Sequence, residues 1–341
     1  MEKNSKQNKF FRSTAGFFML LLVFFGISVC ALRFGSVNIS WSEFFDALFE
    51  PRKEKTASVI IYSVRLPRIL AGLLAGVGLS VSGVLLQSVT DNSLASPNVI
   101  GVNAGAGFGT IICLAFIPAS SYLLRFSLVP VFAFFGAVIT TVAVIFISSG
   151  AGGSRSAIVL AGVAVTALLN AFISAITLAD TDVLASYNSF SVGGFSGVTY
   201  GELIIPAALI VLSLILCLFL SGRINLLSLG QDAASLLGVN VKALRIITII
   251  CASASAASVV SFAGLLGFVG LVVPHIARAF VGERVAFLLP TSAILGASVT
   301  VLADFIGRII ISPSEIPVGI MMAVIGAPFF IFLLFNKRGE Y

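Results

Sequence analysis

The chain reads as a succession of apolar runs separated by short polar, Gly- or Pro-containing breaks. Within the runs the hydrophobic positions neither alternate nor keep to one helical face, and Leu203 to Leu220 is apolar all round. A helix of a soluble domain would show a polar face, and a strand of a membrane barrel would alternate every second residue. All-round apolarity over this length points instead to helices in lipid, each near the ~20 residues needed to cross a bilayer.

Windows bounded by polar or Gly/Pro punctuation fall at 14–33, 65–88, 99–117, 127–148 and 157–179, then at 202–221, 244–264, 267–281, 286–307 and 317–335. They predict an all-α integral membrane protein of about ten transmembrane helices. One transmembrane domain spans residues 1–341, with a cytoplasmic tail at 1–13 and both termini on one side. Between the first two windows, Trp41, Phe44, Phe45, Leu48 and Phe49 recur at helical spacing within 38–55 and predict an external amphipathic helix along the interface.

Composition agrees: of 341 residues 58% are hydrophobic and 10% charged, against roughly 25% charged in soluble domains. The net charge of +6 is not a nucleic-acid footprint, because the basic residues are scattered and sit where spans end. On a ten-span thread the N-terminal lysines, Arg155, Arg223, Lys242, Arg245, Arg284, Lys337 and Arg338 share one side, which the positive-inside rule makes cytoplasmic. Asp180, Asp182 and Glu202 fall opposite, together with Arg65, Arg68 and Arg308, which break the rule.

Cys30, Cys113, Cys217 and Cys251 lie singly in apolar stretches and read as packing, neither a metal nor a disulfide framework. Lys3 to Arg12 followed by Phe17 to Ala31 has the outline of a signal peptide but no A-x-A site, and Ile27 to Cys30 only loosely resembles a lipoprotein site. An uncleaved first span is expected.

Chemistry is sparse. No G-x-x-x-x-G-K-[ST] occurs, and Gly105-Ala106-Gly107-Phe108-Gly109 lies inside a span, where small residues let helices approach. The single histidine, His275, has no second ligand or triad partner in sequence. A membrane enzyme therefore lacks its constellation. An ion-coupled carrier would need intramembrane carboxylates. Asp304 is nearly alone and stands four residues from Arg308, where an i,i+4 ion pair accounts for it.

Specific motifs run along the chain. They begin with Arg65-Leu66-Pro67-Arg68, Gly72, Gly76, Gly78, Ser82-Gly83, Gln87 and Asn92-Ser93-Leu94-Ala95-Ser96-Pro97. Leu160-Ala161-Gly162, Gly193-Gly194-Phe195, Leu229-Gly230 and Leu237-Gly238 follow, and then the unbroken stretch from Gly267 to Arg278. Asp304 with Arg308, Glu315 to Gly319 and Gly326 to Phe330 complete the series. In this order, over 14–335, the chain resembles the iron-chelate and cobalamin permeases of ABC importers, the FecCD type. Its one small departure is Asn92-Ser93-Leu94-Ala95 where that family usually has Asn-Pro-Leu-Ala.

The resemblance implies a type II ABC importer permease in the bacterial cytoplasmic membrane. It would pair with a second permease subunit, identical or paralogous, and dock two ABC ATPase subunits inside and a substrate-binding protein outside. No cofactor would be bound by this chain, ATP residing on the partner subunits. The cargo class is a ferric siderophore, with haem or cobalamin as alternatives.

Leu229, Ala233, Leu236 and Leu237 make an i, i+4, i+7, i+8 stripe in the cytoplasmic segment 226–241, bracketed by Gly230 and Gly238, with Gln231 and Asp232 outside the stripe. On the residues alone, a loop on the membrane surface and a helix in a partner's groove both fit. The resemblance makes this segment the ATPase-coupling site. It also makes Arg65, Arg68 and Arg308 docking groups for glutamates of the binding protein, a task suited to a planar fork, head-group snorkelling and the Asp304 pair being the alternatives. Arg155 and Ser156 would border a cytoplasmic gate, and Asn170 and Ser174 would face the path or bond a neighbouring helix. Pro274 should bend the span that carries His275 and Arg278, either as a structural corner or as part of a gate.

Overall fold

A computed structural model describes residues 2–35, 37–50, 56–152 and 154–336. Every regular element among them is helical. In chain order these are α1 (Glu2–Arg33), α2 (Trp41–Phe49), α3 (Thr56–Val59) and, through a π-helical stretch at Ile60–Arg65, α4 (Leu66–Thr90). A 3-10 turn at Pro97–Ile100 leads into α5 (Val102–Phe116), followed by α6 (Tyr122–Gly150), α7 (Arg155–Ala179), α8 (Thr181–Val192) and α9 (Tyr200–Leu226). After a 3-10 turn at Leu227–Leu229 come α10 (Gln231–Leu236), α11 (Val241–Ala263), α12 (Val269–Val281), α13 (Val285–Ile310) and α14 (Val318–Asn336).

Among the described residues, seven helical stretches are long and apolar enough to cross a membrane, and α5, α12 and α14 are shorter apolar helices. These account for the windows read from the sequence. The backbone of the stretch read as a tail is helical and continuous with the first span, while Lys337 and Arg338 lie outside the described residues. α2 forms as the 38–55 pattern predicts. Ser40 and Glu43 close a capping box at its start, Phe44 and Ala47 are buried, and Trp41 and Phe49 remain exposed. α8 is an addition that the hydrophobic windows did not show. It is short and only mildly apolar, and it begins where Asp180 Oδ1 accepts from the backbone N–H groups of Asp182 (2.9 Å) and Val183 (3.1 Å).

α4 is the centre of the molecule, buried over most of its length and packed on α9, α11, α12 and α13. Lipid supplies no hydrophobic drive between helices, so close backbone approach carries the packing. A Cβ at Gly76 would stand 2.2 Å from the Gly296 carbonyl oxygen, and one at Gly83 would stand 1.9 Å from that of Gly270. Hydroxyls add to the same seams. Thr300 donates to the Gly72 carbonyl, and Ser255 donates to that of Gly78 at 3.0 Å. The Gly105 to Gly109 run packs against α6 at Gly136, in keeping with a helix-packing role.

Helices as short as α5 and α12 leave non-helical backbone at membrane depth, which is tolerated only inside protein. The end of α11 and the connection after it meet this condition by bonding the end of α8 and the loop that follows: Gly194 N–H donates to Ala263 (2.8 Å) and Leu265 N–H to Phe190 (3.2 Å). The outer surface of the bundle is apolar instead. Phe18, Leu22 and Phe25 of α1, and Ile204, Ile205 and Phe219 of α9, are all exposed.

Gly76→Ala is expected to lower the thermal unfolding midpoint in detergent, because the helices must separate at a cost of about 1–3 kcal/mol. Gly222→Ala, where the added methyl meets nothing within 4 Å, should leave it unchanged or raise it, as Gly→Ala does in open helix.

Candidate functional site

Two ends of the bundle carry polar chemistry. At the end opposite the basic loops, Arg65, Arg68 and Arg308 are 4%, 7% and 3% exposed. Expected as docking groups, all three are buried and hydrogen-bonded within the chain. The reason lies in where the helix begins. The sequence window opened at 65, but helical backbone already runs from Thr56, and the π-helical stretch lets it continue up to Pro67, which has no N–H to give. Both arginines therefore project from the body of a helix.

Each finds its acceptors within the chain. The carboxyl end of α1 has carbonyls without intrahelical donors, and Arg65 Nη1 donates to those of Leu32 (2.7 Å) and Arg33 (2.8 Å) while its Nη2 donates to Val37. Arg68 grips Asp304 with Nε (3.0 Å to each oxygen) and Nη2 (2.8 Å), and its Nη1 meets Glu315 Oε2 at 2.6 Å. Arg308 forms the expected i,i+4 pair with Asp304 at 3.2 Å and reaches the Ala31 carbonyl at 3.4 Å. One buried carboxylate thus joins α4, α13 and, through Arg308, the end of α1. Reasoning from sequence found the Asp304–Arg308 contact but missed Arg68 and Glu315, which are distant along the chain. The signal available was the scarcity of charge: a carboxylate in so apolar a chain needs a cation.

Arg68 and Glu315 also border a cavity of about 810 Å³. Phe126, Phe190, Phe195 and Phe262 line it with serine hydroxyls, and a neighbouring cavity of about 690 Å³ shares Phe126, Ser189, Phe190, Ser196 and Phe262. α8 forms one wall. It is anchored by Tyr187, whose hydroxyl closes over Gly107 of α5 and whose phenol burial pushes above its ordinary pKa. Apolar faces with a few hydroxyls and a charged edge suit a bulky amphipathic ligand.

At the basic end, α9 and α11 are joined by two short helical pieces. Gly230 (φ +95°) and Gly238 (φ +79°) bracket α10 in backbone conformations that favour glycine. Ala234 and Leu227 are buried against the bundle, Ala233 is half-buried, and Leu229, Leu236 and Leu237 point outward at 59%, 89% and 60% exposure. Gln231 and Asp232 are exposed beside them.

α7 turns an open face outward. Ser156, Asn170 and Ser174 lie on it, and Ser174 Oγ donates to the Asn170 carbonyl of its own helix (2.9 Å). The Arg155 side chain lies outside the described residues. His275 stacks edge-on against Phe329 at 6.1 Å, and Arg278 lines a cavity with Gln87, Asn92, Asn225 and Glu283. Among the described residues no three His, Cys, Asp or Glu side chains gather as a metal site.

The model of the FecCD transport family matches residues 20–336. The chain belongs to the FecCD transport family. Among FecCD relatives, the Fe(3+)-citrate import system permease protein YfmE of Bacillus subtilis is 35% identical over 343 residues, covering 100% of both chains. The hemin transport system permease protein HmuU of Yersinia pestis is 30% identical over 338 residues, 96% of this chain and 97% of its own. A solved inward-facing metal-chelate type ABC transporter superposes with a TM-score of 0.82 at 31% identity, covering 95% of this chain and 99% of that one. The protein is thus a multi-pass transport permease with the type II ABC importer architecture of the FecCD family.

Within this FecCD chain, Asp304→Ala should lower stability by about 3–5 kcal/mol, because it strands two buried guanidinium groups. Glu315→Gln should cost under about 1 kcal/mol, its side chain being 30% exposed. Thermal unfolding of the single variants and of the Arg68→Ala/Asp304→Ala double variant checks this: the double should cost clearly less than the sum of the singles.

Proposed function

We propose that this chain is one of two permease subunits of an ABC importer in the bacterial cytoplasmic membrane, with a ferric siderophore as cargo. A second copy or a paralogue completes the path, two ATPases dock on the cytoplasmic face, and an external binding protein delivers the chelate. ATP is bound and hydrolysed on the partners, and this chain holds no cofactor of its own. The observation that carries the reading is the outward display, at the basic end, of Leu236 and Leu237 on a glycine-bracketed turn and of Leu229 just before it. Apolar side chains held out into water beside exposed Gln231 and Asp232 suit seating in a partner's groove. A lipid-lying loop fits less well, since Leu227 and Ala234 turn toward the bundle and the leucines away from it.

Relatives named for ferric citrate, siderophore and iron(3+)-hydroxamate support an iron chelate as cargo. A hemin permease among them keeps haem as the second reading. The two adjoining cavities at the external end, walled by phenylalanine and serine, are the kind of surface that tolerates chelates of differing shape while specificity is set elsewhere.

Leu236→Asp should leave folding intact, because the side chain is almost wholly exposed. It should reduce ATP-driven uptake in reconstituted vesicles by more than about tenfold by placing a charge in the apolar groove. Normal uptake and ATPase stimulation would sink the coupling assignment.

Vesicles holding the complete transporter should accumulate iron-55 supplied as a ferric siderophore only with ATP and the loaded binding protein. Haem or cobalamin accumulating in its place would reassign the cargo within the same family.

A further inference from the structure

We propose that the cavity between the basic ends of α6, α7 and α11 binds the phosphate headgroup of an anionic phospholipid in the cytoplasmic leaflet. The cavity measures about 230 Å³ and is lined by Lys242 and Arg245 of α11 and by Ser149 at the end of α6. Among the described residues that line it, none is a carboxylate.

Charge placement is the first argument. Lys242 and Arg245 stand within the first two turns of α11, where the helix dipole is positive and a cation is disfavoured. An exposed cation at the positive end of a helix, as Lys242 is, is disfavoured by the dipole and favoured where an anion is bound. Asn240 supplies the usual cap by accepting from Ala243 N–H at 3.0 Å, so the cations are not replacing a missing cap.

Polarity is the second. Below the cationic rim the floor is apolar, made by Ile145, Ile158 and Ile249. On the flanks, Phe146, Ile147 and Ile250 are exposed at 80%, 49% and 49%, as side chains bathed in hydrocarbon are. The lining therefore passes from hydrocarbon-like to cationic along the membrane normal, the order in which a phospholipid presents its acyl chains, glycerol and phosphate. Free phosphate would have no use for the isoleucine floor. Basic pockets between transmembrane helices on the cytoplasmic side select anionic headgroups.

The site has a consequence for coupling. Gln231, the first residue of α10, also lines it, so a bound headgroup would brace the turn that presents Leu236.

The full chain is reconstituted in phosphatidylcholine vesicles with trace spin-labelled phosphatidylglycerol or phosphatidylcholine, and the immobilised lipid fraction is measured by electron paramagnetic resonance. The wild type should enrich phosphatidylglycerol on the order of tenfold, as expected for two cations near the surface. Lys242→Gln with Arg245→Gln should bring that enrichment to parity. Lys242→Glu changes an exposed side chain and carries the test if the double variant unfolds. Arg223→Gln, a basic-side cation outside the cavity, should leave the enrichment intact. An equal loss at Arg223 would mean diffuse attraction and overturn the proposal. Displacement of the lipid by millimolar inorganic phosphate would overturn it in favour of a free-anion site. Unchanged enrichment in the cavity variants, with loss of ATPase association, would assign the cations to a protein partner and likewise overturn it.

Discussion

A peptide group in hydrocarbon must be satisfied within the protein, and this chain meets that demand by letting backbones approach along α4. Gly76 against Gly296 and Gly83 against Gly270 leave no room for a methyl group. This contact fixes α13 and α12 on two sides of one helix, and Ser255 fixes α11 on a third. Once those helices are set, α12 can be shorter than a bilayer. Its preceding loop is then bonded to the end of α8, where the Phe190 carbonyl accepts from Leu265 N–H.

The same crowding explains the charged cluster at the end opposite the basic loops. Asp304 is four residues beyond Thr300, whose hydroxyl is already bound to Gly72, so its carboxylate is carried against the next turn of α4, where Arg68 stands. Arginine serves this place better than lysine: Nε and Nη2 hold one carboxylate while Nη1 is free to meet Glu315 at the cavity edge. Arg65 does different work with the same fork, supplying donors to the end of α1. Three arginines that look alike against the positive-inside rule thus have separate structural tasks.

What the sequence made legible follows the range of each interaction. All-round apolarity is a property of consecutive residues, so the windows for the spans were readable, as were the aromatic periodicity of α2 and the i,i+4 pair of Asp304 with Arg308. α8 escaped because its signal, Asp180 capping a mildly apolar segment, is weak beside a transmembrane run. The internal partners of Arg68 were not read because they lie 236 and 247 residues away, and no local pattern encodes them. Its anomalous side was a true signal of constraint, though the constraint proved to be internal. The outward leucines of α10 were anticipated as a stripe, but which of them would face water depended on Gly230, whose positive φ sets the direction of that turn.

Rigidity is distributed unevenly, and that distribution bears on how the proposed importer would work. α11 and α13 are largely buried beside α4, whereas α7 and α9 are mostly exposed. In that reading a push delivered by an ATPase at Leu236 would meet α10, which packs on α11 and whose Ala234 is buried. From α11 it passes to α4 through the Ser255 hydrogen bond and on to α13 through the glycine contact. That route is contiguous, made of packed helices that resist deformation, and it ends at Asp304, whose partner Arg68 borders the larger cavity. Packed interfaces of this kind shift as bodies and do not bend continuously. A displacement at the basic end would therefore reach the opposite mouth as a rigid tilt of α4, α11 and α13, with the exposed face of α7 as the surface against which that tilt opens or closes a path.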